Sequence, residues 1–140
     1  LMATDFHMVY LALGSNIGDR RNALSEAIRL IDERVGRVDK VSSFMETEPW
    51  GFKSEFKFLN AVLSVQSMLS PIEILHITQN IEKEMGREKK SLGGIYHDRI
   101  IDIDLLMYDS LQLDTPELTL PHPHMKEREF VMIPLMEILS

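Results

Sequence analysis

The sequence predicts an α+β domain: a ferredoxin-like βαββαβ core in which two helices cover one face of a four-stranded, mostly antiparallel sheet, with an extra C-terminal helical segment. Three observations predict it. Apolar or alternating runs and stretches of helical spacing follow one another in the order strand, helix, strand, strand, helix, strand. The second helical stretch carries a complete start signal. At 140 residues the chain suffices for one packed core, and no repeat or linker divides it. Residues 1–140 are therefore read as one domain, with 1–7 as a tag remnant or disordered start.

Met8 to Leu13 is a short apolar run stopping at Gly14-Ser15-Asn16, a buried strand entering a turn. Leu24, Ala27, Ile28, Ile31 and Val35 then recur at helical spacing, and Gly36 follows as an expected left-handed stop. Val38 to Glu46 has the β-branched, alternating character of a second strand; Glu48-Pro49-Trp50-Gly51 breaks it, so 47–57 is read as a loop. In the third strand Leu59, Ala61, Leu63 and Val65 alternate with Asn60, Val62, Ser64 and Gln66, which turns Asn60 away from the main apolar face. Ser70-Pro71-Ile72-Glu73 supplies an N-cap, a proline at the first helical position and a capping-box glutamate. The helix that follows shows a stripe of Ile72, Leu75, Ile81 and Met85 and ends at Gly86. Polar residues from Arg87 to Asp98, with Gly93-Gly94 among them, lack periodicity and read as a mobile loop. Ile100 to Tyr108 is the fourth strand, and a turn from Pro121 precedes a last helix over about Phe130 to Ile138.

Composition narrows the function classes. A hydrophobic share of 44% and a charged share of 26% are ordinary for a globular chain. No apolar run reaches the roughly 18 residues of a membrane span, and no secretory pattern opens the sequence. Without cysteine there is neither a disulfide framework nor a thiolate metal site, so a cytoplasmic protein is expected. A net charge of −7 argues against a nucleic-acid partner. Local clusters (Arg87, Lys89, Lys90 and Arg99; Lys126 and Arg128) still suit a small phosphate site, which favours a nucleotide.

In Ile101-Asp102-Ile103-Asp104-Leu105 the period of two sends both carboxylates to one face of the strand. Like charges held that close raise each other's cost of ionisation, and a divalent cation offsets it. Oxygen-only donors on a rigid strand suit Mg²⁺, which recruits substrate phosphates; a solvated strand face is the plain alternative. His122 and His124, fixed by Pro121 and Pro123, read as a proton-donating imidazole and its neighbour beside a phosphate, or as a metal pair, or as a polar turn. Gly14-Ser15-Asn16-Ile17-Gly18 lacks the lysine and spacing of a phosphate loop and reads as a structural turn. Glu82 and Arg87 locally look like an exposed ion pair.

Together these segments resemble the hydroxymethyldihydropterin pyrophosphokinases of folate synthesis from Val9 to Ile138. The likeness rests on Leu13-Gly14-Ser15-Asn16-x-Gly18, Thr47-x-Pro49-x-Gly51, Leu59-Asn60-Ala61, Ile81-Glu82 with Gly86-Arg87, Arg99-x-x-Asp102-Ile103-Asp104, and Leu120-Pro121-His122 with Met125-Lys126-x-Arg128-x-Phe130. It implies transfer of the β,γ-pyrophosphoryl unit of ATP to 6-hydroxymethyl-7,8-dihydropterin, with release of AMP. It also implies two Mg²⁺ ions on Asp102 and Asp104, and catalytic phosphate clamps at Arg87, Arg99, His122 and Arg128. Gln79, Glu82, Leu105 and Thr119 would lie near the nucleotide. The pterin would sit between Phe58 and Phe130, met by Asn60, Asp102 and the segment Thr47, Glu48 and Trp50. A monomer acting on these two small substrates, away from nucleic acid and membrane, is implied. The chain departs from the family pattern at Tyr96-His97-Asp98-Arg99, and at Glu117, where a basic residue can meet the nucleotide. A metabolite-binding module and a metal-dependent phosphohydrolase are the rival readings.

Overall fold

The computed structural model describes residues 6–48, 57–86 and 100–139. Expectations for Trp50, Arg87, Arg99, Tyr96 and the stretch 87–98 thus lie outside the described residues. The elements run β1 (His7–Ser15), α1 (Arg20–Arg34), β2 (Arg37–Val41), β3 (Met45–Thr47), β4 (Phe58–Ser67), α2 (Pro71–Glu84), β5 (Asp102–Tyr108), β6 (Leu113–Asp114), β7 (Thr119–Leu120) and α3 (Glu129–Leu139). β1 opens at His7, inside the stretch read as a tag remnant or disordered start.

The main sheet has the order β2-β4-β1-β5, with β3 added to β4, and its pairings are antiparallel. Counting β2 and β3 as one strand gives the ferredoxin-like order. Leu24 and Ile31 of α1 and Ile74 and Ile81 of α2 bury themselves against Leu11, Leu63 and Ile103 on one face. Val131, Leu135 and Ile138 of α3 pack on the other face with Ala12, Val62 and Leu106. Both faces are thereby partly covered, which is why the central strands read as near-continuous apolar runs.

The predicted capping box at α2 is present: Ser70 accepts from Glu73 N, and Glu73 accepts from Ser70 N. Four expectations need correction. The second strand is two short strands, because the Ser42 hydroxyl takes a carbonyl's place in the ladder and accepts from Val62 N at 2.9 Å. Gly36 is not left-handed; it is needed because a Cβ there would collide with the Gln66 carbonyl as the chain crosses β4. The buried stripe of α2 is Ile74, Thr78, Ile81 and Glu82; of the predicted stripe Ile81 lies in it, and Leu75 and Met85 pack at its border. The two-residue strands β6 and β7 pair with each other and were not expected, being too short to show alternation.

Candidate functional site

The site begins with two rows across the sheet on the α3 side. Asn60, Gly14 and Asp102 are register partners on β4, β1 and β5, and two residues further along Val62, Ala12 and Asp104 form the next row. As the alternation predicts, Asn60 and both aspartates face away from the larger core, into which Ile103 and Leu105 point. Two strand spacings put Asn60 and Asp102 roughly 10 Å apart at their Cα atoms. The centre between them is bare backbone. A Cβ on Gly14 would stand 3.2 Å from Asn60 Oδ1 and 3.3 Å from Phe58 Cδ1; this strip of bare backbone, with Phe58 and Asn60 beside it on β4 and Asp102 opposite on β5, is termed the trough below. Sequence reasoning missed this floor; a glycine at the end of an otherwise apolar strand was the available signal.

Asn60 is 3% exposed and fixed. Its Nδ2 donates to Met45 O at 3.2 Å and Thr47 Oγ1 at 2.7 Å. Because the Met45 carbonyl can only accept, the amide nitrogen is committed to β3 and the carbonyl oxygen faces the trough. Thr47 ends β3, and the exposed Glu48 carboxylate lies 3.6 Å from Lys57 Nζ. Phe130 is half-buried at the start of α3, with the Arg128 guanidinium carbon 5.7 Å from its ring centroid.

Arg128 is 8% exposed and sits 3.8 Å from Asp104 Oδ2, a buried cation brought to the acidic pair by the 3₁₀ turn Met125–Glu127. His122 reaches the same place by another route: its backbone N–H donates to Leu106 O on β5 at 2.9 Å. Burial, reinforced by the positive charges of Arg128 and His124 and opposed by Asp102, pushes its pKa down to about 4. His122 is thus neutral near pH 7. Its Nδ1 accepts from His124 N at 3.2 Å, which leaves the proton on Nε2. In this form His122 can offer a hydrogen bond through Nε2–H, not an acidic proton. His124 is half-exposed with Glu127 3.6 Å away, and the two rings are tilted with centroids 6.2 Å apart. Among the described residues no group of three or more His, Asp or Glu gathers as a metal cage; Mg²⁺ commonly completes its shell with water and substrate oxygens.

A cleft of about 240 Å³ adjoins the acidic pair. Asp104, Leu105, Thr119 and His122 line it, together with Leu75 of α2 and Glu117. Glu117 also faces His76 at 3.6 Å. Gln79 is half-buried on α2, and neither it nor Glu82 is among the described lining residues. Glu82 is not on the surface, where its local pattern had put it, and its expected partner Arg87 lies outside the described residues. Glu82 is 7% exposed, and its Oε2 accepts from Ile103 N at 2.7 Å, tying the open edge of β5 to α2 between the two aspartates.

Residues 10–140 match the family model described as 7,8-dihydro-6-hydroxymethylpterin-pyrophosphokinase. The chain is 54% identical over 132 residues to a Porphyromonas gingivalis 2-amino-4-hydroxy-6-hydroxymethyldihydropteridine pyrophosphokinase, covering 94% of this chain and 90% of that protein. The Bacillus subtilis protein of the same name is 41% identical over 133 residues, covering 94% and 78%. Among solved structures, a Plasmodium falciparum HPPK-DHPS superposes with a TM-score of 0.71 at 18% identity, covering 94% of this chain. This chain spans 40% of that longer one, and the likeness is one of fold.

Proposed function

Since the chain belongs to the 7,8-dihydro-6-hydroxymethylpterin-pyrophosphokinase family, we propose that the trough over Gly14 takes the pterin, the cleft beside Thr119 takes the nucleotide, and Asp102 and Asp104 join them. The enzyme transfers pyrophosphate from ATP to 6-hydroxymethyl-7,8-dihydropterin in folate synthesis. The observation that carries the site reading is the position of the acidic pair. Asp102 is the register partner of the trough floor, while Asp104 lines the neighbouring cleft.

A flat bicyclic ring over Gly14 would meet the Phe58 ring at one side and the Asn60 carbonyl oxygen in plane, an acceptor for a pterin N–H. Phe130, Thr47, Glu48 and Trp50 complete this half of the site in the proposal. The hydroxymethyl arm then points along β5 toward the cleft. There Arg128, beside Asp104, supplies a buried cation for phosphate oxygens, and His122 donates a neutral Nε2–H. Arg87 and Arg99 are proposed as the further clamps, and Gln79, Leu105 and Thr119 as nucleotide neighbours. For Glu82 the hydrogen bond to Ile103 supports a supporting rather than a direct role.

The donor set fits Mg²⁺: two carboxylates two residues apart on one strand face, no soft ligand, and space for water and phosphate. Bound there, two Mg²⁺ ions would neutralise the triphosphate and acidify the attacking hydroxyl. The protein's own part is alignment, since in-line attack of the hydroxyl on the β-phosphorus needs the trough and cleft to hold their occupants end to end. No side-chain nucleophile is required. Among the described residues no helix is long and apolar enough to cross a membrane. We propose that the chain acts as a single-domain monomer in the cytoplasm.

The test is to assay AMP and pterin diphosphate formation in Asp102→Asn and Asp104→Asn. Both should lose turnover by orders of magnitude, with circular dichroism unchanged. Near-normal turnover in either would remove that residue from the site.

A further inference from the structure

We propose that Arg20, the first residue of α1, is a positioning residue for the pterin half of the site; this rests on the placement of the pterin over Gly14. The starting observation is a local rule broken. The first turn of α1 carries Arg20 and Arg21 and no acidic residue, although positive charge is disfavoured at a helix N-terminus. Asp19 alone meets the capping need, accepting from Asn22 N. A residue placed against its local preference commonly serves a tertiary contact.

That contact joins β3 to the residue that leads into β4. Arg20 Nη1 donates to Lys57 O at 2.8 Å, and Nη2 meets Glu46 Oε2 at 2.7 Å. Arg21 adds to the grip, its guanidinium carbon 5.1 Å from the Phe44 ring centroid. The object held is weak by itself: β3 has three residues and, among the described residues, pairs with β4 alone. In the register Thr47 lies opposite Phe58 and Met45 opposite Asn60. Arg20 therefore pins each strand one residue before its substrate-facing member, Glu46 before Thr47 and Lys57 before Phe58. Met45 O and Thr47 Oγ1, both on β3, in turn accept from Asn60 Nδ2, and together they hold the Asn60 oxygen toward the trough. A shift of β3 would release that amide. With side chains 30% and 48% exposed, the Arg20–Glu46 pair belongs to the class that adds little to global stability, so its consequence is local order.

The experiment measures KM for both substrates and pterin affinity by calorimetry in Arg20→Ala, Glu46→Ala, the double variant, Arg20→Lys and Asn60→Ala. Arg20→Ala should raise pterin KM and Kd about 3- to 10-fold, with ATP KM within about twofold and the melting temperature nearly unchanged. Glu46→Ala should act in the same direction, the double variant should be less than the product of the two, and Arg20→Lys should recover part of the loss. If Arg20→Ala and Glu46→Ala leave pterin affinity unchanged, or weaken ATP equally, while Asn60→Ala selectively weakens pterin, the role of Arg20 is overturned. If Asn60→Ala itself leaves pterin affinity unchanged, the placement of the pterin fails and this inference falls with it.

Discussion

Gly14→Ala adds one methyl group to the floor of the trough, and its consequences follow from two distances. The new carbon would lie 3.2 Å from Asn60 Oδ1 and 3.3 Å from Phe58 Cδ1, each a few tenths of an ångström too close. Asn60 cannot retreat without giving up its bonds to Met45 O and Thr47 Oγ1, so the Phe58 ring must pivot and the methyl must stand where the pterin would lie. Lifting the ring off the floor breaks its alignment with the Asn60 oxygen, and a buried hydrogen-bonding edge left unmatched costs about 1–3 kcal/mol. At a factor of ten per about 1.4 kcal/mol, pterin affinity should fall about 5- to 150-fold. The free protein should scarcely notice, because alanine in a strand is intrinsically better than glycine by roughly 0.5–1 kcal/mol, which offsets part of the strain. Calorimetric titration of a pterin and, separately, of an ATP analogue with Mg²⁺ reads the two halves of the site. Unchanged pterin affinity, or an equal loss for the nucleotide, would refute the assignment of this trough.

Three further outcomes follow from other contacts. Glu82→Ala leaves the Ile103 N–H buried without its acceptor and should cost about 1–3 kcal/mol in urea unfolding, whereas Glu82→Gln keeps an acceptor and should cost less than half as much; equal losses would show that the hydrogen bond is not what Glu82 contributes. The His122 imidazole in the substrate-free enzyme should titrate by NMR near 4, and a midpoint at or above the ordinary 6.5 would contradict its burial beside Arg128. Because the folded pKa is depressed, the unfolded chain binds more protons between 6.5 and about 4, so this residue's contribution to stability is full above 6.5 and lost as pH falls through that window. His122→Gln should flatten that part of the stability profile, and an unchanged slope would assign it to other groups.

Much of this architecture is legible in the sequence because its signals are local. The capping box at Ser70 and Glu73 appears as read, and the period of two places Asn60, Asp102 and Asp104 on one face as expected. What was not legible depends on partners distant in sequence. Gly36 looked like a helix stop, and only the approach of the Gln66 carbonyl shows why a side chain is excluded. Glu82 looked like a surface charge, since nothing near it in sequence reveals that β5 presents an unpaired amide there. The break between β2 and β3 arises from one serine hydroxyl substituting for a backbone carbonyl, an event that alternation cannot foresee. Gly14 was read as the start of a turn, and its role emerges only when Phe58 and Asn60 are brought beside it.

The central claim is that the β5 carboxylates gather the cations at the junction of trough and cleft, and a crystal grown with Mg²⁺, a non-hydrolysable ATP analogue and the pterin tests it most directly. The account predicts Mg²⁺ bound to Asp102 and Asp104 at about 2.0–2.1 Å, with triphosphate oxygens completing the coordination and the pterin ring over Gly14. Cations and phosphates seated away from both side chains would contradict it.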